Sequence, residues 1–316
     1  TATGGNVDAA SAPQPIKVSP DEVPFGIEQF STRQEEEGGK ETTQAGAHPF
    51  QVTNTIQFNA GAMPGDRSNG VEMPAQLRNL RFPLPAGLVG NATAYPQCNL
   101  NDFYRPVGLL NACPDAAVLG VAAVAMSGPS VAGLERRVVP VFNLPPGPGE
   151  PARFGITAFG YPFLIETAVD PDNDYKITAS VENLTQLVAP LTSTVVLWGN
   201  PGDPRHDPSR GWTCVERIEI FGPCERPPAL AETAFLRAPV SCQGPLRFEA
   251  SIDPWNTPIG SVVDSASFAA AGLNGCSRIP CGPEIGASPT YKGAGKPSGL
   301  DFRLDMPNSN LENPVG

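Results

Sequence analysis

The densest run of oxygen ligands in the chain is DPDNDY, which places Asp170, Asp172 and Asp174 at alternate positions. That alternation is how a calcium loop opens, because a hard cation needs several oxygens at close range. The continuation departs from the pattern. Tyr175 stands where glycine makes the sharp turn, and Val181 where a bidentate glutamate closes the site. The competing reading is a hairpin turn, in which Asp, Pro and Asn are favoured for their local geometry. Calcium at Asp170, Asp172 and Asp174 is carried beside that turn; no other cofactor is expected.

A second candidate, GNPGDPRHDPSRGW, gathers Asp203, His206, Asp207 and Ser209. A hydrolytic triad is defined by its geometry in space and by an oxyanion hole, not by nearness in sequence, and no GxSxG elbow occurs in the chain. The segment reads as a polar surface loop. Thirty-two acids offer many carboxylate pairs for glycoside hydrolysis, but a sequence gives no separations to choose between them. No residue is assigned as catalytic, and the chain is expected not to be an enzyme. Asn91-Ala92-Thr93 and Asn183-Leu184-Thr185 match the glycosylation sequon. Trp198, Trp212 and Trp255 could stack on a sugar, although aromatics scattered singly among strands are more often core.

Seven cysteines, at 98, 113, 214, 224, 242, 276 and 281, contain no CxxC, and only His48 and His206 could join them on zinc. Neighbours in sequence suggest three disulfides, Cys98–Cys113, Cys214–Cys224 and Cys242–Cys276, and with them an oxidising, extracellular setting. Cys281 is left to pair between chains or to exchange with a neighbour.

These residues have to be positioned by short strands. Pro and Gly number 37 and 33, yet 40% of residues are hydrophobic, arranged in short runs that a disordered chain would lack. Many strands joined by Pro/Gly turns reconcile the two, which points to an all-β antiparallel sandwich, jelly-roll-like. QVTNTIQF (51–58) alternates as a half-buried strand does. Further strands are read at 23–30, 77–85, 136–142, 152–159, 162–169, 175–184, 192–199, 215–222, 245–255 and 300–306, and AAVLGVAAVAM (116–126) is a buried strand or strand pair. STRQEEEGGKETTQAG shows no apolar periodicity and reads as an exposed loop. Pro140 marks an edge or a bulge, since it cannot donate to a ladder. NLPPGPGEPARFGI joins two strands of one series, so it is an ordered connection rather than a domain boundary.

The net charge of −11 and the five lysines disfavour nucleic acid. No apolar run reaches the ~20 residues of a membrane helix, so no membrane insertion is expected. The start at TATGG, without Met, suggests a processed N-terminus. The expected divisions are a flexible leader (1–22), a main β-sandwich domain (23–204), a smaller disulfide-tied β region (205–299), and a terminal strand and tail (300–316).

AGAHPFQVTNTIQFN, LPAGLVGNATAYPQC, ACPDAAVLGVA, VPVFNLPPGPGEPARFGI, VLWGNPGDPRHD and APVSCQGPLRFEASIDPW occur in an order that resembles a family of large secreted β-rich surface proteins of soil actinobacteria, over about residues 23–310. Cys281 departs from that pattern. The resemblance implies export and a role at the cell surface or in a matrix, and carries over no catalytic residue. In longer members a further β unit follows, so LDFRLDM reads as the opening strand of a second unit. The expected function is a secreted structural or adhesive β-protein that self-associates by strand addition, with polysaccharide binding or wall attachment as the alternative and a secreted hydrolase as a third.

Overall fold

The computed structural model describes residues 2–4, 7–10, 22–62, 71–127, 135–215, 223–224, 230–278 and 284–305. Eleven strands form one antiparallel sheet: β1 (Ile27–Glu35), β2 (Gln51–Phe58), β3 (Leu77–Pro83), β4 (Val118–Ser127), β5 (Glu135–Leu144) and β6 (Arg153–Ala158), then β7 (Tyr161–Asp170), β8 (Lys176–Val181), β9 (Ala189–Trp198), β10 (Pro245–Pro254) and β11 (Asp264–Gly272). Their order across the sheet is β11-β10-β3-β8-β7-β6-β5-β4-β9-β2-β1. The all-β, antiparallel architecture is as expected, with both walls drawn from one continuous sheet curled around a shared core.

The curl brings the two ends of that order together. β1 and β11 lie side by side in parallel, joined mainly by side chains instead of a ladder. At one end of the seam the Asp264 carboxylate accepts the Ile27 N–H at 2.7 Å, and near the other Glu41 accepts the Ala271 N–H at 2.8 Å. Past β11, Asn274 bridges Gln44 in parallel and exchanges backbone bonds with Thr43 and Ala45. Closure along this seam covers the β1 and β11 edges of the sheet.

Alternation explains which side chains face the interior. Opposite pairs share a face, so Thr32 and Asn54, Asn54 and Val195, Phe82 and Ala179, and Leu80 and Ile252 point the same way. Phe30 of β1 stacks on Phe82 of β3, ring centroids 6.0 Å apart. With Phe248 and Ile252, both almost fully buried, this fills the side of the interior next to the seam.

Strand direction puts the long connections at one end. The connections from β3 to β4 and from β9 to β10 start and finish there, the second bearing Cys242, and the segment after β11 that bears Cys276 starts there too. They carry the short helices α1 (Leu100–Tyr104) and α2 (Trp212–Val215). Phe103 covers Gly155, and Trp212 lies 6.0 Å from Phe142, so the outer face of β5 and β6 is buried too. All three expected disulfides are present, Cys98–Cys113, Cys214–Cys224 and Cys242–Cys276, and all staple this end. Cys281 lies outside the described residues. Gly199 leaves β9 where a side chain would strike the Pro49 carbonyl, so only glycine fits.

Several expectations change. A boundary at 204/205 would cut the sheet, because β10 and β11 belong to it. β1 runs on through STRQE, read above as loop, with Thr32 and Gln34 buried: polar residues facing inward hide a strand from hydropathy. Within the stretch read as leader, Ala2–Gly4 pairs with Val7–Ala10. Apart from Val215, which ends α2, the strand expected at 215–222 lies outside the described residues. Pro140 pairs with Val121 on one side, while β6 joins β5 only from Phe142 onward, so Pro140 does occupy a local edge. The Pro-rich connection is an ordered turn: the Glu150 carboxylate accepts from the Gly147 N–H at 2.8 Å and from the Arg153 guanidinium at 2.7 and 2.9 Å.

The terminal strand is not left without a neighbour. β13 (Leu300–Asp305) pairs antiparallel with β12 (Glu284–Pro289), a strand that its Gly-Ala-Ser-Pro composition concealed.

Candidate functional site

Away from the Phe30–Phe82 stack the interior is not filled. A cavity of about 230 Å³ runs between β2, β9, β4, β6, β7, β8 and β3. Its walls are mainly Val, Ile, Leu and Phe at alternate strand positions, as in Ile165, Ile177 and Val195, and among the described residues none that lines it is charged. The lining reaches the surface at Val89, 46% exposed, beside the short pairing of Val89–Gly90 with Leu236–Arg237.

Polar lining groups gather on adjoining strands. The Asn54 side-chain amide donates to the Thr32 hydroxyl at 2.7 Å. Ser193 lies diagonally across from Asn54, which pairs with Val195. One inward position beyond Thr32 stands Gln34, 1% exposed, and neither its amide nitrogen nor its oxygen has a partner. A buried amide left unpaired costs about 1–3 kcal/mol per group and calls for a reason.

The acids at 170–174 are a hairpin turn between β7 and β8. The Asp170 carboxylate accepts the Asp172 N–H at 3.2 Å, and Asp174 and Tyr175 take positive φ of 53° each. Among the described residues no group of three His, Cys, Asp or Glu is arranged to hold a metal. Asn91 and Asn183 are both exposed; the Thr93 hydroxyl donates to the Asn91 side chain at 2.8 Å, and the Asn183 N–H to Asn79 at 3.0 Å. Trp198 and Trp212 are buried, while Trp255 is 37% exposed and donates its indole N–H to the Leu184 carbonyl, so the three share no open face.

No protein-family model, no curated protein and no solved structure matches this chain. Its chemistry therefore has to be read from its own residues.

The segment read as a polar surface loop is instead a 3₁₀ helix, Pro204–Ser209, that buries His206 and is followed by the buried Arg210. The imidazole stacks on Trp198 at 4.6 Å and meets Phe50 at 4.4 Å, while Arg210 and Arg205 sit over those same two rings. Asp203 pairs with Arg205, and Ser209 is exposed. Nε2 of His206 has no partner. This is a packed cluster and not a triad, a distinction that residue types alone could not make.

Burial is the main cause that pushes the His206 imidazole down to about 4, with nearby Arg210 and Arg205 acting the same way against Asp203 and Asp207. Below its ordinary value near 6.5 the unfolded chain takes up a proton that the folded one refuses, so stability falls as pH drops from 6.5 to 4 and levels off below that. Over this window the loss is about 3 kcal/mol. Asp115, raised chiefly by burial, acts in the opposite sense where it titrates. Urea unfolding across pH 4–7 should show the loss, and His206→Phe should remove that part of the slope; an unchanged slope in the variant would assign it elsewhere.

Proposed function

We propose that this is a non-enzymatic extracellular binding protein that takes up an apolar small molecule in the lumen of its closed sheet. The observation that carries this reading is the cavity of about 230 Å³ with uncharged, mainly hydrocarbon walls. Well-formed apolar pockets with a few convergent polar groups are the usual ligand sites of folded proteins. Three disulfides suit an oxidising environment, and among the described residues no helix is long and apolar enough to cross a membrane. Naphthalene, followed by its fluorescence anisotropy, should be taken up stoichiometrically. Ala179→Phe, which places a ring in the lumen, should weaken uptake at least tenfold. Uptake unaffected by the filled lumen would defeat the reading.

A second reading, self-association, rests on the β12–β13 hairpin. Ile285 opposes Leu304, Ala287 opposes Phe302, and Pro289 opposes Leu300, so one face of the hairpin is wholly apolar. Ile285, Leu300, Phe302 and Leu304 are between 51% and 67% exposed. A lone two-stranded hairpin is at best marginally stable in water. A second copy of the same face suits it, because a two-fold would set Phe302 over the partner copy's small Ala287. Sedimentation velocity should show concentration-dependent dimers that Phe302→Asp abolishes; a strict monomer at high concentration would count against this reading. With the β1 and β11 edges covered by the seam, this hairpin is also a place for strand addition.

A further inference from the structure

The polar groups on the lumen wall narrow what the cavity accepts, an inference that rests on the lumen being a binding site. We propose that its ligand is an uncharged, largely hydrocarbon molecule of about ten carbons within the cavity, bearing one neutral hydrogen-bonding group, a hydroxyl or carbonyl, that docks at Asn54, Thr32 and Ser193.

Size comes first. An apolar cavity of about 150 Å³ holds one benzene, so about 230 Å³ takes roughly nine or ten carbons, and a longer ligand must emerge at the Val89 mouth. Charge comes next. Among the described residues no Lys, Arg or His lines the cavity, so an anionic head group would lose its water without gaining a counter-ion there. The protein's own charge of −11 adds to that bias.

The head group is specified by what remains unpaired. On β2, the lining residue Asn54 donates its amide to Thr32, and its side-chain oxygen is an acceptor. The Ser193 hydroxyl, two residues from the Val195 that opposes Asn54, is able to donate or accept. Gln34, on the same inward face of β1 as Thr32 but outside the cavity lining, has both ends of its amide buried and unpartnered. Thr167 and Thr192 aside, the rest of the described lining is apolar, and donors and acceptors grouped in such a wall discriminate a neutral polar group from none, strongly so where a buried polar group would otherwise stay unpaired.

Three probes with one carbon skeleton separate the possibilities: naphthalene, 2-naphthol and 2-naphthoate, titrated into the whole chain at pH 7 and read by their own fluorescence. Expected is 2-naphthol about three- to tenfold tighter than naphthalene, the worth of one net hydrogen bond, and 2-naphthoate at least tenfold weaker than 2-naphthol. Asn54→Leu should bring the naphthol-to-naphthalene ratio close to one. If naphthoate binds as well as naphthol, or naphthalene as well as naphthol in the wild type, the head-group inference is overturned while the lumen reading stands. If none of the three binds, the lumen reading itself fails.

Discussion

Replacing Asp253 with alanine is expected to destabilise the fold by about 3–5 kcal/mol, the range for breaking a buried ion pair from one side. Asp253 is fully buried on β10. Its carboxylate accepts from Arg78 at 2.5 and 2.7 Å, from the Asn79 amide at 2.9 and 3.1 Å, and from Arg81 at 3.0 Å, all on β3. Arg78 also donates to the carbonyls of Thr257 and Pro258 and so holds the β10–β11 turn. Without the carboxylate, a guanidinium with only 5% of its side chain exposed has no counter-charge. Urea unfolding measures the loss. A double variant, Asp253→Leu with Arg78→Met, should recover much of it, because the uncompensated charge is the larger part of the penalty. If the single variant cost under about 1 kcal/mol, the network would be ornamental and this account of the β3–β10 joint would be wrong.

The second large effect belongs to Cys242–Cys276, which spans 34 residues and encloses both β10 and β11. In the chain-entropy model a loop of that length contributes about 4 kcal/mol by restricting the unfolded chain. Cys242→Ala with Cys276→Ala should lose roughly that amount in denaturant unfolding. The location matters as well as the size. Cys276 follows Asn274, whose backbone bonds to Thr43 and Ala45 close one end of the seam. Hydrogen exchange should therefore accelerate first at Thr43–Ala45 and along β11, before the β4–β5 ladder. Uniform acceleration across the sheet would show that the bridge restrains the chain globally, with no special hold on the seam.

The sequence made some of this legible, and the reasons are physical. β2 was read to the residue because Ile56 and Phe58 alternate with polar partners. The disulfides were legible because each joins cysteines adjacent in the cysteine order. The inward half of β1 was not, since Thr32 and Gln34 are polar on a face where hydropathy expects carbon. β11 was missed because, Phe268 aside, SASFAAA carries small side chains, and one of the two strands beside it, β1, is far away in sequence. The His206 cluster showed the right residue types, but only folding reveals that rings enclose the imidazole. The lumen was beyond reach altogether: an unfilled volume is a difference between packed walls, and no single residue encodes it.

The seam also sets a clock for the chain. Asp264 and the Ile27 N–H that it accepts are 237 positions apart. β1 therefore exists as an unprotected edge from the moment it emerges until β11 has been made. Proteins dominated by such distant contacts fold slowly and expose sticky intermediates meanwhile. A chain truncated before residue 264 should retain most of its strands yet aggregate through β1, so that the last strand of the sheet to be synthesised acts as the guardian of the first.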